Sequence, residues 1–189
     1  YFAGFLAGSL LTPKMIQRVG HIRIFAALSA VASVTILVHS IYVNPWAWAL
    51  MRLLTGFAFS TIYVVSESWL NQASNNTNRG QILSLYTAIL LAGICAGQFM
   101  LNVANPREFT LFILISVMVS VAAVPILLSV ITTPAIEETE RVTIRHLWYR
   151  TPMGVTGIVL SQWVSSILFG MGAVYATKLD FSVYQVANF

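Results

Sequence analysis

Long apolar runs joined by short turn-forming linkers set the terms for this chain. They fall at about 1–18, 22–43, 46–71, 80–103, 108–132 and 152–177, and a further one starts near 182. An α-helix rises 1.5 Å per residue, so about 20 apolar residues cross the hydrocarbon core of a bilayer. In lipid every backbone N–H and C=O must find a partner within the protein, which leaves only helices and closed barrels as spanning structures. Runs of this length predict helices. The linkers Gly20-His21, Val43-Asn44-Pro45, Asn71 to Arg79 and Asn105-Pro106-Arg107 are rich in turn residues, as helix connections require. Composition agrees: 58% of the residues are hydrophobic and 8% charged, against about 25% charged in a soluble domain. The expected fold is an all-α polytopic membrane protein with about six transmembrane helices and the start of a seventh.

Several function classes drop out. The net charge of +4 comes from basic residues in short loops, which is no footprint for nucleic acid. The lone Cys95 excludes an internal disulfide and offers no metal cluster. Neither H-E-x-x-H nor G-x-S-x-G occurs, so the chain reads as no enzyme, with no cofactor and no metal site. The first run begins at Tyr1 without a Met or a basic leader. Near the other end, Ser182 and Gln185 have the spacing of a capping box that opens a helix. The expectation is a piece of a longer protein.

The stretch from Thr133 to Arg150 breaks the pattern. It holds Glu137, Glu138 and Glu140 beside Arg141, Arg145 and Arg150, and predicts a polar linker with Trp148 and Tyr149 as interfacial anchors. Orientation follows from Lys and Arg. One set of helix ends carries Lys14, Arg18, Arg23, Arg79, Arg141, Arg145 and Arg150; the opposite ends carry Arg107 and Lys178. The richer set belongs in the cytoplasm.

Charges inside the apolar runs are the candidates for function. Arg52 lies in the run from Trp46 to Leu70, where an ionised side chain costs about 2.5–3.5 kcal/mol on insertion scales. It either faces a wet interior or snorkels to the nearby interface. On a 3.6-residue period Arg52, Gly56, Phe59, Tyr63, Ser66 and Glu67 share one stripe. Glu67 has two readings, a group on a solute or proton path and a structural partner for Arg18 or Arg79. Ala92/Ala96 and Gly93/Gly97 repeat at four-residue spacing, as close helix packing requires. In the last full run Gln162, Ser165, Ser166 and Gly170 share a face, which is either a cavity wall or an interhelical seam. His39 is expected to be an interfacial histidine, and Pro125 a kink.

Three motifs carry a resemblance. Arg18-x-Gly20-His21-x-Arg23 after an inward run resembles the loop signature between helices 2 and 3 of the major facilitator superfamily. Arg52-Leu-Leu-Thr-Gly56 resembles that family's helix-4 signature, and Arg79-Gly80 followed by Leu85-Tyr86 is similar to the start of its helix 5. Val64 to Asn71, Asn78-Arg79-Gly80 and Gly97-Gln98 are similar to the YcaD-type branch.

The resemblance implies a partial major facilitator fold running from helix 2 to the start of helix 8. Residues 1–132 would supply helices 2–6 of the N-terminal half, 133–150 the central cytoplasmic linker, and 151–189 helix 7 and the start of helix 8. It implies transport of a small molecule across the cytoplasmic (inner) membrane of a bacterium by alternating access, with protons as a candidate coupling ion and a monomer at full length. Arg52, Tyr63, Glu67, Gln162 and Ser166 would lie on the path. Arg18, Gly20 and Arg23 would form the cytoplasmic gating loop, and Gly56, Gly93 and Gly97 would pack helices. The chain departs from the family at Gln17, where an Asp is usual, at Pro13, where a Gly is usual, and at Gln98, where some members have Pro. The alternatives are a non-transporting membrane sensor or scaffold and a membrane-embedded enzyme.

Overall fold

The computed structural model of the chain describes residues 1–100, 108–128, 144–181 and 185. Seven α-helices run through them: α1 (Phe2–Val19), α2 (His21–Ile41), α3 (Pro45–Ala73), α4 (Arg79–Met100), α5 (Thr110–Leu128), α6 (Ile144–Arg150) and α7 (Pro152–Lys178). Each expected boundary that falls on described residues lies within two residues of the observed one. The linker at 105–107, Arg141, most of the polar stretch 133–150 and the Ser182 cap lie outside the described residues.

The helix ends have local causes. Gly20 alone separates α1 from α2, at φ 88°, a conformation that side chains with a Cβ rarely adopt. Its N–H donates to the Ile16 carbonyl at 2.9 Å and closes α1. Asn44 caps α3: its Oδ1 accepts from the N–H groups of Trp46 and Ala47 at 2.9 and 3.3 Å, and Pro45 fills the first turn, where a missing N–H costs nothing. Before α4, Asn75 Oδ1 accepts from the N–H groups of Thr77 and Asn78, while Asn78 Oδ1 accepts from the Asn75 N–H at 2.8 Å. α5 runs on past Pro125.

Five of these helices, α2, α3, α4, α5 and α7, are long and apolar enough to cross a membrane. α1 is less apolar and is not among them. Thr12, Pro13, Lys14, Gln17 and Arg18 dilute its second half. The exterior is apolar, with Phe2, Ile41, Val117 and Leu128 all exposed. Lipid is the solvent that accepts such a surface.

α1 to α5 belong to one compact unit, α6 and α7 to a second. In the first unit α3 packs against α1 and α2, and α2 against α5. α1 and α3 approach through small residues. A Cβ placed on Gly4 would strike the Leu53 carbonyl oxygen, and one on Gly56 the carbonyl oxygen of Tyr1. A Cβ on Gly8 would sit 2.7 Å from the Phe57 carbonyl oxygen. Lipid tails are as apolar as leucine, so such helices associate through close packing and interhelical hydrogen bonds instead of hydrophobic exclusion. The hydroxyls supply the bonds. Ser33 and Ser116 lie Oγ to Oγ at 2.6 Å, and Ser120 donates to Ser33 at 2.8 Å, joining α2 to α5. Ile16, Ile24, Leu28, Ala32, Ala58 and Val65 form a small apolar core around them.

In the second unit, α6 is short and amphipathic, with Trp148 and Tyr149 exposed and the Arg145 guanidinium 5.9 Å from the Tyr149 ring. Thr151 donates its N–H to the Leu147 carbonyl at 2.8 Å, and Pro152 opens α7.

Candidate functional site

A cavity of about 430 Å³ opens in the first unit, between α1, α2, α3 and α5. α3 contributes Arg52, Thr55, Phe59 and Tyr63, which recur every three to four residues along one face. Arg52 is about two turns from the start of the helix. α2 contributes Ile36 and His39, α5 contributes Phe112 and Ile115, and Tyr1 closes one side. Arg52 is the one formally charged side chain of this lining.

The walls are fixed by contacts behind them. Thr55 donates to the Met51 carbonyl within its own helix at 2.7 Å and lies 3.1 Å from Thr35 Oγ1 on α2. His39 is buried, at 4% exposure, with its Nδ1 2.7 Å from the Thr35 carbonyl oxygen. A carbonyl only accepts, so Nδ1 carries the hydrogen and donates it. His39 Nε2 is buried without a hydrogen-bond partner among the described residues. The ring stacks on Phe112, 13° from parallel, and meets Trp48 edge-on at 5.5 Å. Tyr63 leans on Phe5 and Phe59, with ring centres 6.4 and 6.5 Å away.

The sequence stripe on α3 divides in three dimensions. Arg52, Phe59 and Tyr63 line the cavity together, whereas Gly56 turns against Tyr1 and Phe5 of α1. Glu67 is exposed and Ser66 half-buried, and both are outside the lining. The Tyr86 hydroxyl is buried without a partner. Among the described residues Glu67 forms no ion pair with Arg18 or Arg79 within 4.0 Å.

His39, expected near the membrane interface, is enclosed by Trp48 and Phe112, neighbours that the sequence does not give. Tyr1, Thr55, Phe112 and Ile115 were also not among the expected site residues. Their common signal, a place near the same end of adjacent helices, depends on knowing which helices are adjacent.

At the opposite end of the unit, Arg18 and Arg23 are exposed on either side of Gly20. His21 between them is fully buried, with Nε2 3.1 Å from Ser68 Oγ on α3. Gly93 and Gly97 on α4 have nothing within 4 Å of the positions a Cβ would take among the described residues. In the second unit Gln162 and Ser166 are exposed on α7, and Ser165 donates to the Ser161 carbonyl at 2.9 Å.

Long apolar helices joined by short turns, with Arg52 on the lining of a cavity in the first unit, define a polytopic helical membrane protein. The sequence profile of the Major Facilitator Superfamily matches residues 1–188, and the chain belongs to that family. It is similar to an MFS-type transporter of Yersinia pestis (strain Pestoides F), 25% identical over 100% of this chain and 50% of the relative. It is also similar to one of Enterobacter sp. (strain 638), 29% identical over 93% of this chain and 46% of the relative. The MFS-type transporter YcaD of Escherichia fergusonii is 27% identical over the same shares. The chain spans about half the length of these curated relatives. No solved structure matches it. The family is one of transporters, not enzymes.

Proposed function

We propose that this chain forms part of a secondary transporter that carries a small molecule across the bacterial cytoplasmic membrane by alternating access. Residues 1–132 then belong to the N-terminal half, 133–150 to the central cytoplasmic linker and 151–189 to the C-terminal half, and the full-length protein works as a monomer. The observation that carries the reading is the placement of Arg52 with Tyr63 on a cavity inside an otherwise apolar helix bundle. A guanidinium there is too costly to hold against lipid, and a solute path repays it. Gln162 and Ser166 on α7 supply polar groups for the other half of the path. Gly93 and Gly97 give α4 a face for helix packing.

Protons are the proposed coupling ion. Glu67 is the one acidic side chain within a helix among the described residues, and that supports it as the carrier. Arg18, Gly20 and Arg23 form the cytoplasmic gate, where Gly20 fixes the turn and the two arginines face outward.

Substitution of Arg52 in the full-length protein, followed by solute counterflow in proteoliposomes, tests the reading. Lys keeps the charge but loses the planar five-donor fork. Arg52→Lys should cut transport strongly at normal membrane abundance. Transport near the parental level in that variant would mean that Arg52 merely snorkels. Glu67→Gln should abolish uptake driven by a pH gradient while counterflow persists.

A further inference from the structure

We infer that the cavity between α1, α2, α3 and α5 binds a small monocarboxylate with an apolar body, anchored by Arg52. This deepens the transporter reading and rests on it.

Charge comes first. Arg52 lines the cavity and no acidic residue does. The guanidinium has no ion-pair or hydrogen-bond partner among the described residues. Arg52 is exposed at the cavity, and a cation without a counter-charge favours an anion and repels another cation. The geometry of the donor set narrows the anion. A guanidinium presents a planar fork that matches one carboxylate with two parallel hydrogen bonds.

The other polar groups of the lining are largely committed elsewhere. Thr55 gives its hydrogen within the helix pair, and His39 Nδ1 gives its own to the Thr35 carbonyl. The Tyr1 and Tyr63 hydroxyls remain to assist, and His39 Nε2 is also without a hydrogen-bond partner among the described residues. A phosphate, with more oxygens and a second charge, would be left with unmet acceptors.

The body of the ligand is read from the walls. Ile36, Phe59, Phe112 and Ile115 are apolar, and the His39 ring, stacked on Phe112, continues the same surface. About 430 Å³ is at the small end of ligand pockets. One charged head and one compact apolar body fit this lining.

The test uses purified full-length protein, with ligand-induced thermal stabilisation and calorimetric titration as readouts. The probes are benzoate and cyclohexanecarboxylate, set against their near-isosteric amines, benzylamine and cyclohexylmethylamine. At least one carboxylate should stabilise the protein and its amine twin should not. Arg52→Gln should weaken carboxylate binding at least tenfold, and Arg52→Lys by less. Phe112→Trp fills the cavity without touching its charge and should weaken binding to a similar degree. It keeps the test sharp if Arg52→Gln fails to fold.

Amines that bind as well as the acids, no binding by either carboxylate, or carboxylate affinity unchanged in the Arg52 variants would overturn the inference. Counterflow separates it from the transporter reading. Carboxylate binding without counterflow removes transport and keeps the site. Counterflow of a non-acidic solute without carboxylate binding does the reverse.

Discussion

Thr12 on α1 and Thr61 on α3 meet side chain to side chain, Oγ1 to Oγ1 at 3.0 Å, and neither is exposed. Thr12 also lies 2.6 Å from the Gly8 carbonyl oxygen, one turn back. The contact closes a seam in which Gly4 and Gly8 of α1 face the backbone of Leu53 and Phe57 on α3, and Thr12 faces Thr61. Two backbones come together here because nothing larger than a hydrogen stands between them at the glycines.

The seam should therefore be more sensitive to volume than to the hydrogen bond. Gly8→Ala places a methyl 2.7 Å from the Phe57 carbonyl oxygen, and overpacking of that kind costs about 1–3 kcal/mol. Thr61→Val keeps the shape and loses one interhelical hydrogen bond, worth about 0.6 kcal/mol in a membrane. Thermal unfolding of the full-length protein in detergent should rank Gly8→Ala below Thr61→Val. The reverse ranking would show that hydrogen bonding governs the contact.

His21 and Ser68 form a second link between helix ends, at 3.1 Å. Where Gln17 stands in place of the family's usual Asp, this uncharged pair ties the start of α2 to α3. Ser68→Ala leaves a fully buried imidazole without its partner, a loss of about 1–3 kcal/mol. His21→Phe keeps much of the volume and removes the polar atoms. The double variant should cost less than the sum of the two singles, with a coupling near 1 kcal/mol. Additive losses would mean that the two side chains do not depend on each other.

Topology can be read with an impermeant thiol reagent on whole cells. The native Cys95 is exposed, so it is first changed to Ser. Asn76→Cys, in the turn before α4, and His146→Cys, in α6, should then label only after the cells are opened. Both lie beside the basic residues that the positive-inside rule assigns to the cytoplasm. Labelling of either in intact cells reverses the orientation.

The loop at Arg18 and Arg23 should set conformational balance and leave binding nearly untouched. Both side chains are exposed at the far end of the unit from the cavity. Arg18→Ala or Arg23→Ala should slow transport in the full-length protein while substrate affinity stays within roughly threefold, below about 0.7 kcal/mol. Large affinity losses at a normal turnover rate would place the arginines in the binding site instead.

What the sequence determined by itself was the length and ends of the long helices among the described residues. Length against bilayer thickness, Gly20 before His21, Asn44 before Pro45 and the Asn75–Asn78 turn are all local, and the chain adopts them as read. The stripe on α3 was also legible in part, because three of its members recur at one helical period and line one cavity. Tertiary structure alone decided which faces meet. In a membrane the outside of a helix is as apolar as its inside, so hydropathy does not distinguish the lipid side from the packed side. α2 and α5 are apolar nearly all round, yet Ser33 and Ser116 join them and His39 is enclosed between Trp48 and Phe112. Gly56 left the wet stripe for α1 because backbone approach, a matter of shape and not polarity, placed it there.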